Sequence, residues 1–114
     1  PVLLQKWGLP DCLDRDDIVI ISSKNLHSDI VKRIVALPGD TVQIIDGILY
    51  VNAVLEENPY HLPAMKDAGN AASPITLGAV EYFVLGDNRN ASIDSRFDEV
   101  GIILSDHIIG KVID

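Results

Sequence analysis

Short runs of aliphatic and β-branched residues, each broken by Gly, Pro, Asn, Asp or Ser, make up most of the chain. Apolar positions do not recur at the helical period of 3.6 over more than about two turns, and neither heptads nor longer repeats occur. The pattern predicts strands. Val2 to Lys6 is one, ended by Trp7-Gly8-Leu9-Pro10; Ile18 to Ile21, introduced by Asp16-Asp17, is a second. Polar residues Ser22 to Ser28 lead to a third, Asp29 to Leu37, which the turn Pro38-Gly39-Asp40 halts. Thr41 to Ile45 and Ile48 to Val51 flank Asp46-Gly47, the clearest hairpin signal, because Asp-Gly accepts the two positive φ values of a type I′ turn. Asn52-Ala53 begins another tight turn into Val54-Leu55. Glu56 to Pro74 changes to Pro, Ala, Asn, Gly and charge, and predicts a long irregular loop of a kind that is often functional or mobile. Strand character returns at Ile75 to Gly78 and Val80 to Leu85. Beyond a polar segment, Val100 to Leu104 and His107 to Ile113 close the chain, with Ser105-Asp106 between them as a helix N-cap or turn.

Many short strands at such spacing predict a mainly β fold: a small coiled or closed β-barrel-like domain of antiparallel strands with one long irregular loop, closure being the way to remove sheet edges. The length of 114 residues suits a single domain spanning residues 1–114. Composition adds that the core must be Ile, Val and Leu, since only three Tyr, two Phe and one Trp are present. A formal charge of −8, with no basic cluster larger than Lys32-Arg33, argues against nucleic acid as a partner. Cys12 is the sole cysteine, which excludes an intrachain disulfide and a thiolate metal cluster, and it reads as structural. No stretch approaches the roughly 20 apolar residues of a membrane helix, so the chain reads as soluble. Its abrupt apolar start at Pro1-Val2-Leu3-Leu4 suggests a fragment of a longer protein.

Two segments carry candidate chemistry. Leu85 to Arg96 is the densest polar run in the chain, and by composition alone it is a hydrogen-bonding turn. In the strand from Asp29 to Leu37, alternation places Ile30, Lys32, Ile34 and Ala36 on one face and Val31, Arg33 and Val35 on the other. Lys32 either snorkels to the sheet rim or is desolvated. Burial removes the water that stabilises an ammonium, and a penalty on the order of 4 kcal/mol would leave the amine neutral and able to act as a general base. A neutral lysine beside a serine hydroxyl is one route to acyl transfer without histidine. His27, His61 and His107 are scattered and match neither a triad nor a zinc spacing.

Val31-Lys32-Arg33-Ile34-Val35-Ala36-Leu37-Pro38-Gly39-Asp40 together with Gly86-Asp87-Asn88-Arg89-Asn90-Ala91-Ser92-Ile93-Asp94-Ser95-Arg96 resembles the two C-terminal boxes of type I signal peptidases, the membrane-bound Ser-Lys proteases that remove signal peptides. Asp16-Asp17-Ile18-Val19-Ile20 resembles a weaker third box, and the order is the family's. The resemblance implies that Lys32 is the general base and Arg33 its structural partner. It implies that Ser92 shares a hydrogen bond with the lysine amine and fixes its direction, that Asp94 and Arg96 pair to hold the loop, and that Asp87 and Arg89 brace the same turn. Ala91 stands where the family usually has Asn, a peripheral difference. The implied substrate is an extended signal peptide of a preprotein, with small residues at the first and third positions before the cut. The implied setting is the outer face of a membrane, most simply the bacterial cell membrane, reached through an N-terminal anchor. No cofactor or metal is implied.

The family's nucleophile lies in a Ser-Met-x-Pro motif upstream of the strand that Pro1 to Lys6 resembles, and that motif does not occur in these 114 residues. Ser22, Ser23, Ser28, Ser73, Ser95 and Ser105 stand in no matching context. The chain by itself is therefore expected to be inactive, through truncation or through natural loss of the serine. Two rival readings fit part of the pattern. A self-cleaving Ser-Lys protease of the SOS-repressor type shares a similar lysine strand and a related β fold but lacks the box from Gly86 to Arg96. A non-catalytic peptide-binding β module would keep the fold without the nucleophile. Three further patterns carry little. Asn88, Asn90, Ser92, Asp94 and Glu99 imitate a calcium loop, but Ile93 falls where Gly is required. Asn90-Ala91-Ser92 is formally a glycosylation sequon, and a glycan there would obstruct the loop. Pro38-Gly39-Asp40 is only a turn.

Overall fold

The computed structural model describes residues 3–5, 13–57 and 62–113. Of the first expected strand, Leu3–Gln5 is present as β1; Trp7-Gly8-Leu9-Pro10, Cys12 and His61 lie outside the described residues. The long central strands follow the apolar pattern closely: β2 is Ile18–Ser23 and β3 is Ser28–Ala36. The Asp-Gly hairpin forms β4, Thr41–Ile45, and β5, Ile48–Val51, and Asp46 and Gly47 take φ of 51° and 79°, as a type I′ turn requires. Asn52 and Ala53 repeat the device, at φ of 53° and 64°, to enter β6, Val54–Leu55. The stretch from Glu56 to Pro74 is irregular in its described part apart from one 3-10 turn, Gly69–Ala72. Then come β7, Ile75–Thr76, β8, Glu81–Leu85, and β9, Ile103–Leu104. Ser105–His107 is a 3-10 turn without a side-chain cap, not a helix start, and it leads into β10, Ile108–Ile113.

All pairings are antiparallel. They build a six-stranded sheet in the order β1-β10-β2-β3-β8-β9 and a four-stranded sheet in the order β6-β5-β4-β7. The mainly β, antiparallel expectation holds, but the sheets do not close into a barrel. Edge protection is achieved differently: β6, β7 and β9, each at the margin of a sheet, are two residues long and offer little backbone for further pairing.

The buried residues of β8 show how the core is divided. Tyr82 and Val84 join Val19, Ile21 and Ile34 on one face of the large sheet, while Phe83 and Leu85 join Val42, Ile44, Leu49 and Val51 of the smaller sheet on the other. On β3 the simple alternation fails at one point. Arg33 pairs with Leu85 and Ile34 with Val84, but it is Ala36, not Val35, that meets Phe83, so Val35 is the extra residue of a β-bulge. The bulge sends Ala36 into the cluster that holds Val35, away from the Ile34 face on which alternation had placed it.

Gly47 links this frame to the long loop. Its carbonyl oxygen accepts the Met65 N–H at 2.9 Å, and a Cβ added there would lie 2.7 Å from the Met65 carbonyl oxygen and 2.9 Å from the Ala64 Cβ. Gly47→Ala therefore combines a strained positive φ with a backbone clash. It is expected to destabilise the chain by about 1–3 kcal/mol, read from the midpoint of urea unfolding.

Candidate active site

β3 presents two consecutive cations to opposite faces. Lys32 stands across from Val19 of β2, and Arg33 across from Leu85 of β8. Gly86, one step past Leu85, comes beside Lys32. A Cβ on Gly86 would overlap the Ser92 Oγ, approach the Ser92 Cβ to 2.6 Å, and lie 3.4 Å from Lys32 Nζ. The missing side chain is the space in which lysine and serine meet.

The loop after β8 turns back on itself and covers that space. Ser95 docks its return: its N–H donates to the Val84 carbonyl at 3.1 Å, and its Oγ accepts from the Val84 N–H at 3.0 Å. Inside the loop, Asp94 is fully buried and accepts from every side. Its Oδ1 takes the Nε–H and backbone N–H of Arg96 at 2.8 and 3.2 Å; its Oδ2 takes Gly86 N–H at 3.1 Å, Ser92 Oγ–H at 2.7 Å and Arg96 Nη2 at 2.9 Å. Burial alone pushes the Asp94 carboxyl up. The hydrogen bonds from Arg96, Ser92 and Gly86 and the charge of Arg96 outweigh it and hold the group below the ordinary 3.8.

A carboxylate can only accept hydrogen bonds, and this settles the direction of the next one. The Ser92 proton is committed to Asp94, so Ser92 Oγ must accept from Lys32 Nζ, which lies 3.1 Å away. The amine is the donor in this contact. In front of the amine a shallow hollow of about 170 Å³ is bordered by Ile18, Val31, Lys32, Arg33 and Asp87.

The remaining charges brace the surroundings in pairs. Arg33 forms a fork on Asp87 at 2.8 and 2.9 Å and donates to the Asp16 carbonyl at 2.8 Å; the Arg33 guanidinium holds the Asp87 carboxyl below its ordinary value despite partial desolvation. Arg89 acts on Asp87 through its charge and makes its hydrogen bonds elsewhere around the turn. It is buried, donates to the Gly86 carbonyl at 3.1 Å, and forks onto Glu56 at 2.9 and 3.1 Å. Arg96 ties the loop to the long irregular segment through the Asp67 carbonyl at 3.0 Å, and Asn90 does the same with Ala64 O and Lys66 N at 3.1 and 2.9 Å.

A protein-family model described as "Signal peptidase, peptidase S26" matches residues 4–113. The chain belongs to this signal peptidase family. It is 38% identical over 105 residues to "Signal peptidase I T" of Bacillus subtilis (strain 168), an alignment covering 86% of the chain and 54% of that relative. With "Probable signal peptidase I-2" of Synechocystis sp. it shares 35% over 105 residues, covering 86% of the chain and 45% of the relative. The chain spans about half the length of the curated relatives it matches. Its fold is similar to the crystal structure of a signal peptidase I from Enterococcus faecalis V583, with a TM-score of 0.70 at 29% identity over 87% of this chain and 95% of that one.

Within this signal peptidase fold, all seven expected residues fall in one neighbourhood: Lys32 with Ser92, Ser92 with Asp94, Asp94 with Arg96, and Arg33 with Asp87, while Arg89 reaches Gly86. His27 and His107 take no part in these contacts. Sequence reasoning missed Glu56, Asn90 and Ser95. Glu56 is one of two adjacent acids at the start of a polar stretch and gives no sign of its partner; Asn90 and Ser95 look like ordinary turn residues until their backbone partners are seen. A larger groove of about 330 Å³, floored by Val35, Leu49 and Val51 and edged by Arg15, Arg33 and Arg89, opens on the face of β3 away from Lys32, so its size does not make it the site of chemistry.

Asp94→Asn would leave the Arg96 guanidinium, 1% exposed, without its countercharge. The expected loss is ~3–5 kcal/mol in chemical unfolding, far more than for an exposed pair. The same contacts fix an acid response. Because Asp94 and Asp87 titrate below 3.8 when folded, the unfolded chain binds more protons as the pH falls past that value. Their contribution is complete above 3.8 and is lost as the pH drops through their own lowered values. Urea midpoints followed from about pH 5 to pH 2 should fall in that lower window, and Asp94→Asn should flatten the curve.

Proposed function

We propose that this chain is the lysine-bearing part of a serine endopeptidase that removes signal peptides, with Lys32 as its general base. The observation that carries the reading is the series from Asp94 through Ser92 to Lys32, in which each hydrogen bond has one possible direction and the last leaves the amine facing a surface hollow. In the proposed reaction a serine hydroxyl from outside these 114 residues gives its proton to the unprotonated Lys32 amine while its oxygen bonds to the carbonyl carbon of the scissile peptide. Lys32 then returns the proton to the leaving nitrogen as the C–N bond breaks. A water, deprotonated in the same way, hydrolyses the acyl ester.

Ser92 aims the amine, Asp94 fixes Ser92, and Arg96 fixes Asp94. Arg33 with Asp87, and Arg89 through Gly86, hold the strand and the loop at the right separation. The substrate is an extended signal-peptide segment with small residues at the first and third positions before the cut, laid alongside the strands that line the site. The reading places the membrane anchor and the nucleophile in the remainder of the longer protein, at the outer face of a bacterial cell membrane, and expects the 114 residues alone to cleave nothing. Among the described residues, no helix is long and apolar enough to cross a membrane.

In the full-length protein, Lys32→Ala should lower turnover of a signal-peptide substrate by about 10²–10⁴-fold or more with the fold intact by circular dichroism. Lys32→Arg should do no better, since a guanidinium does not give up its proton. Ser92→Ala should reduce kcat by about 10–10²-fold, because the amine remains but is no longer aimed. Full activity in Lys32→Ala would remove the assignment.

A further inference from the structure

Glu56 lies far from the polar loop in sequence, yet its carboxylate closes the wall behind that loop. Both terminal nitrogens of Arg89 donate to Glu56, at 2.9 Å to Oε1 and 3.1 Å to Oε2, while the third nitrogen, Nε, donates to the Gly86 carbonyl at 3.1 Å. The Arg89 side chain is 5% exposed, so its orientation is set by these partners and not by water. Glu56 is itself anchored: its N–H donates to the Leu49 carbonyl of β5 at 2.9 Å. A continuous series of contacts therefore runs from the smaller sheet, through Glu56 and Arg89, to the peptide of Gly86. Gly86 is the residue whose bare Cα faces Ser92 Oγ and Lys32 Nζ, and its own N–H is held by Asp94.

We propose that Glu56 is a positioning residue for Lys32. This inference rests on the assignment of Lys32 as general base. The carboxylate holds the Arg89 guanidinium flat against the Gly86 carbonyl, which fixes the orientation of the Gly86 peptide and with it the gap in which the Ser92 hydroxyl meets the amine. Without Glu56, a buried guanidinium has lost its countercharge and must turn toward solvent to be hydrated, which withdraws Nε from Gly86. The amine would remain present but be aimed less well, so the loss should fall on the chemical step and not on peptide binding.

The test is steady-state kinetics of the full-length protein with a signal-peptide substrate, comparing Glu56→Gln, Glu56→Asp, Arg89→Lys and Lys32→Ala with the parent. Glu56→Gln should lower the melting midpoint, because Arg89 loses its countercharge, and should also lower kcat by about tenfold or more with KM within about twofold when assayed at a temperature where the variant is fully folded. Glu56→Asp keeps the charge and should recover most of kcat. Arg89→Lys retains a cation for Glu56 but cannot span Glu56 and the Gly86 carbonyl together, and should be as slow as Glu56→Gln; it also keeps the test open if Glu56→Gln fails to fold. Unchanged kcat in Glu56→Gln or Arg89→Lys would overturn the inference, as would losses that follow only the folded fraction. If Lys32→Ala is inactive while these variants work normally, the role of Glu56 alone fails. If Lys32→Ala works normally, the assignment of Lys32 fails and takes this inference with it.

Discussion

The buried pair of Asp94 and Arg96 is the constraint on which the polar loop depends. Two opposite charges removed from water lose solvation that their mutual attraction alone does not restore, so such a pair is tolerated only when the remaining hydrogen-bonding capacity is filled. Here it is filled: Asp94 accepts from Gly86, Ser92 and Arg96, and Arg96 reaches in addition the carbonyls of Asp67 and Arg89 at 3.0 and 2.6 Å. No buried side-chain nitrogen or oxygen among the described residues lacks a partner. What the pair contributes is a single geometry. A loop closed only by exposed turns could shift by an ångström at little cost, and the serine hydroxyl would shift with it.

The pair also explains why the long stretch after β6 belongs with the loop. Asp67 O meets Arg96, Lys66 N and Ala64 O meet Asn90, Gly69 packs so closely on the Arg96 carbonyl that a side chain would not fit, and Glu56 meets Arg89. Each contact joins a backbone group or acid of the irregular segment to the polar loop. The irregular segment thus works as a strap against the polar loop, and side chains of the loop satisfy the backbone groups of Ala64, Lys66 and Asp67 that no regular structure pairs.

Much of this was legible before the fold was known, for local reasons. The Asp-Gly hairpin announces itself because two positive φ values are needed and those residues supply them, and the opposite facing of Lys32 and Arg33 follows from a period of two. The grouping of Lys32, Ser92 and Asp94 came from resemblance to a family and not from periodicity. What stayed hidden depended on distant parts of the chain. The bulge at Val35 arises from the match between β3 and β8, so Ala36 could not be placed from its own neighbours. The open sheets end at edges of two or three residues instead of closing, which no single strand records. Glu56 finds Arg89 only after both sheets are in place.

The alternation along β3 makes strand length itself a functional quantity. Lys32 and Arg33 are adjacent, so a shift by one residue in one direction would bring the guanidinium to Ser92 and move the amine to the Val31 position, and a shift in the other direction would bring the amine to Asp87 and set Val31 before Ser92. Either shift leaves the charge count unchanged, yet the group facing Ser92 would then be a guanidinium that holds its proton permanently or an aliphatic side chain with no nitrogen. The bulge at Val35 lies beyond these two positions, where it can take up an extra residue without disturbing which cation faces which side. Substitution in this strand and change of its length are therefore unequal events: the first alters a contact, and the second alters which face of the sheet carries Lys32.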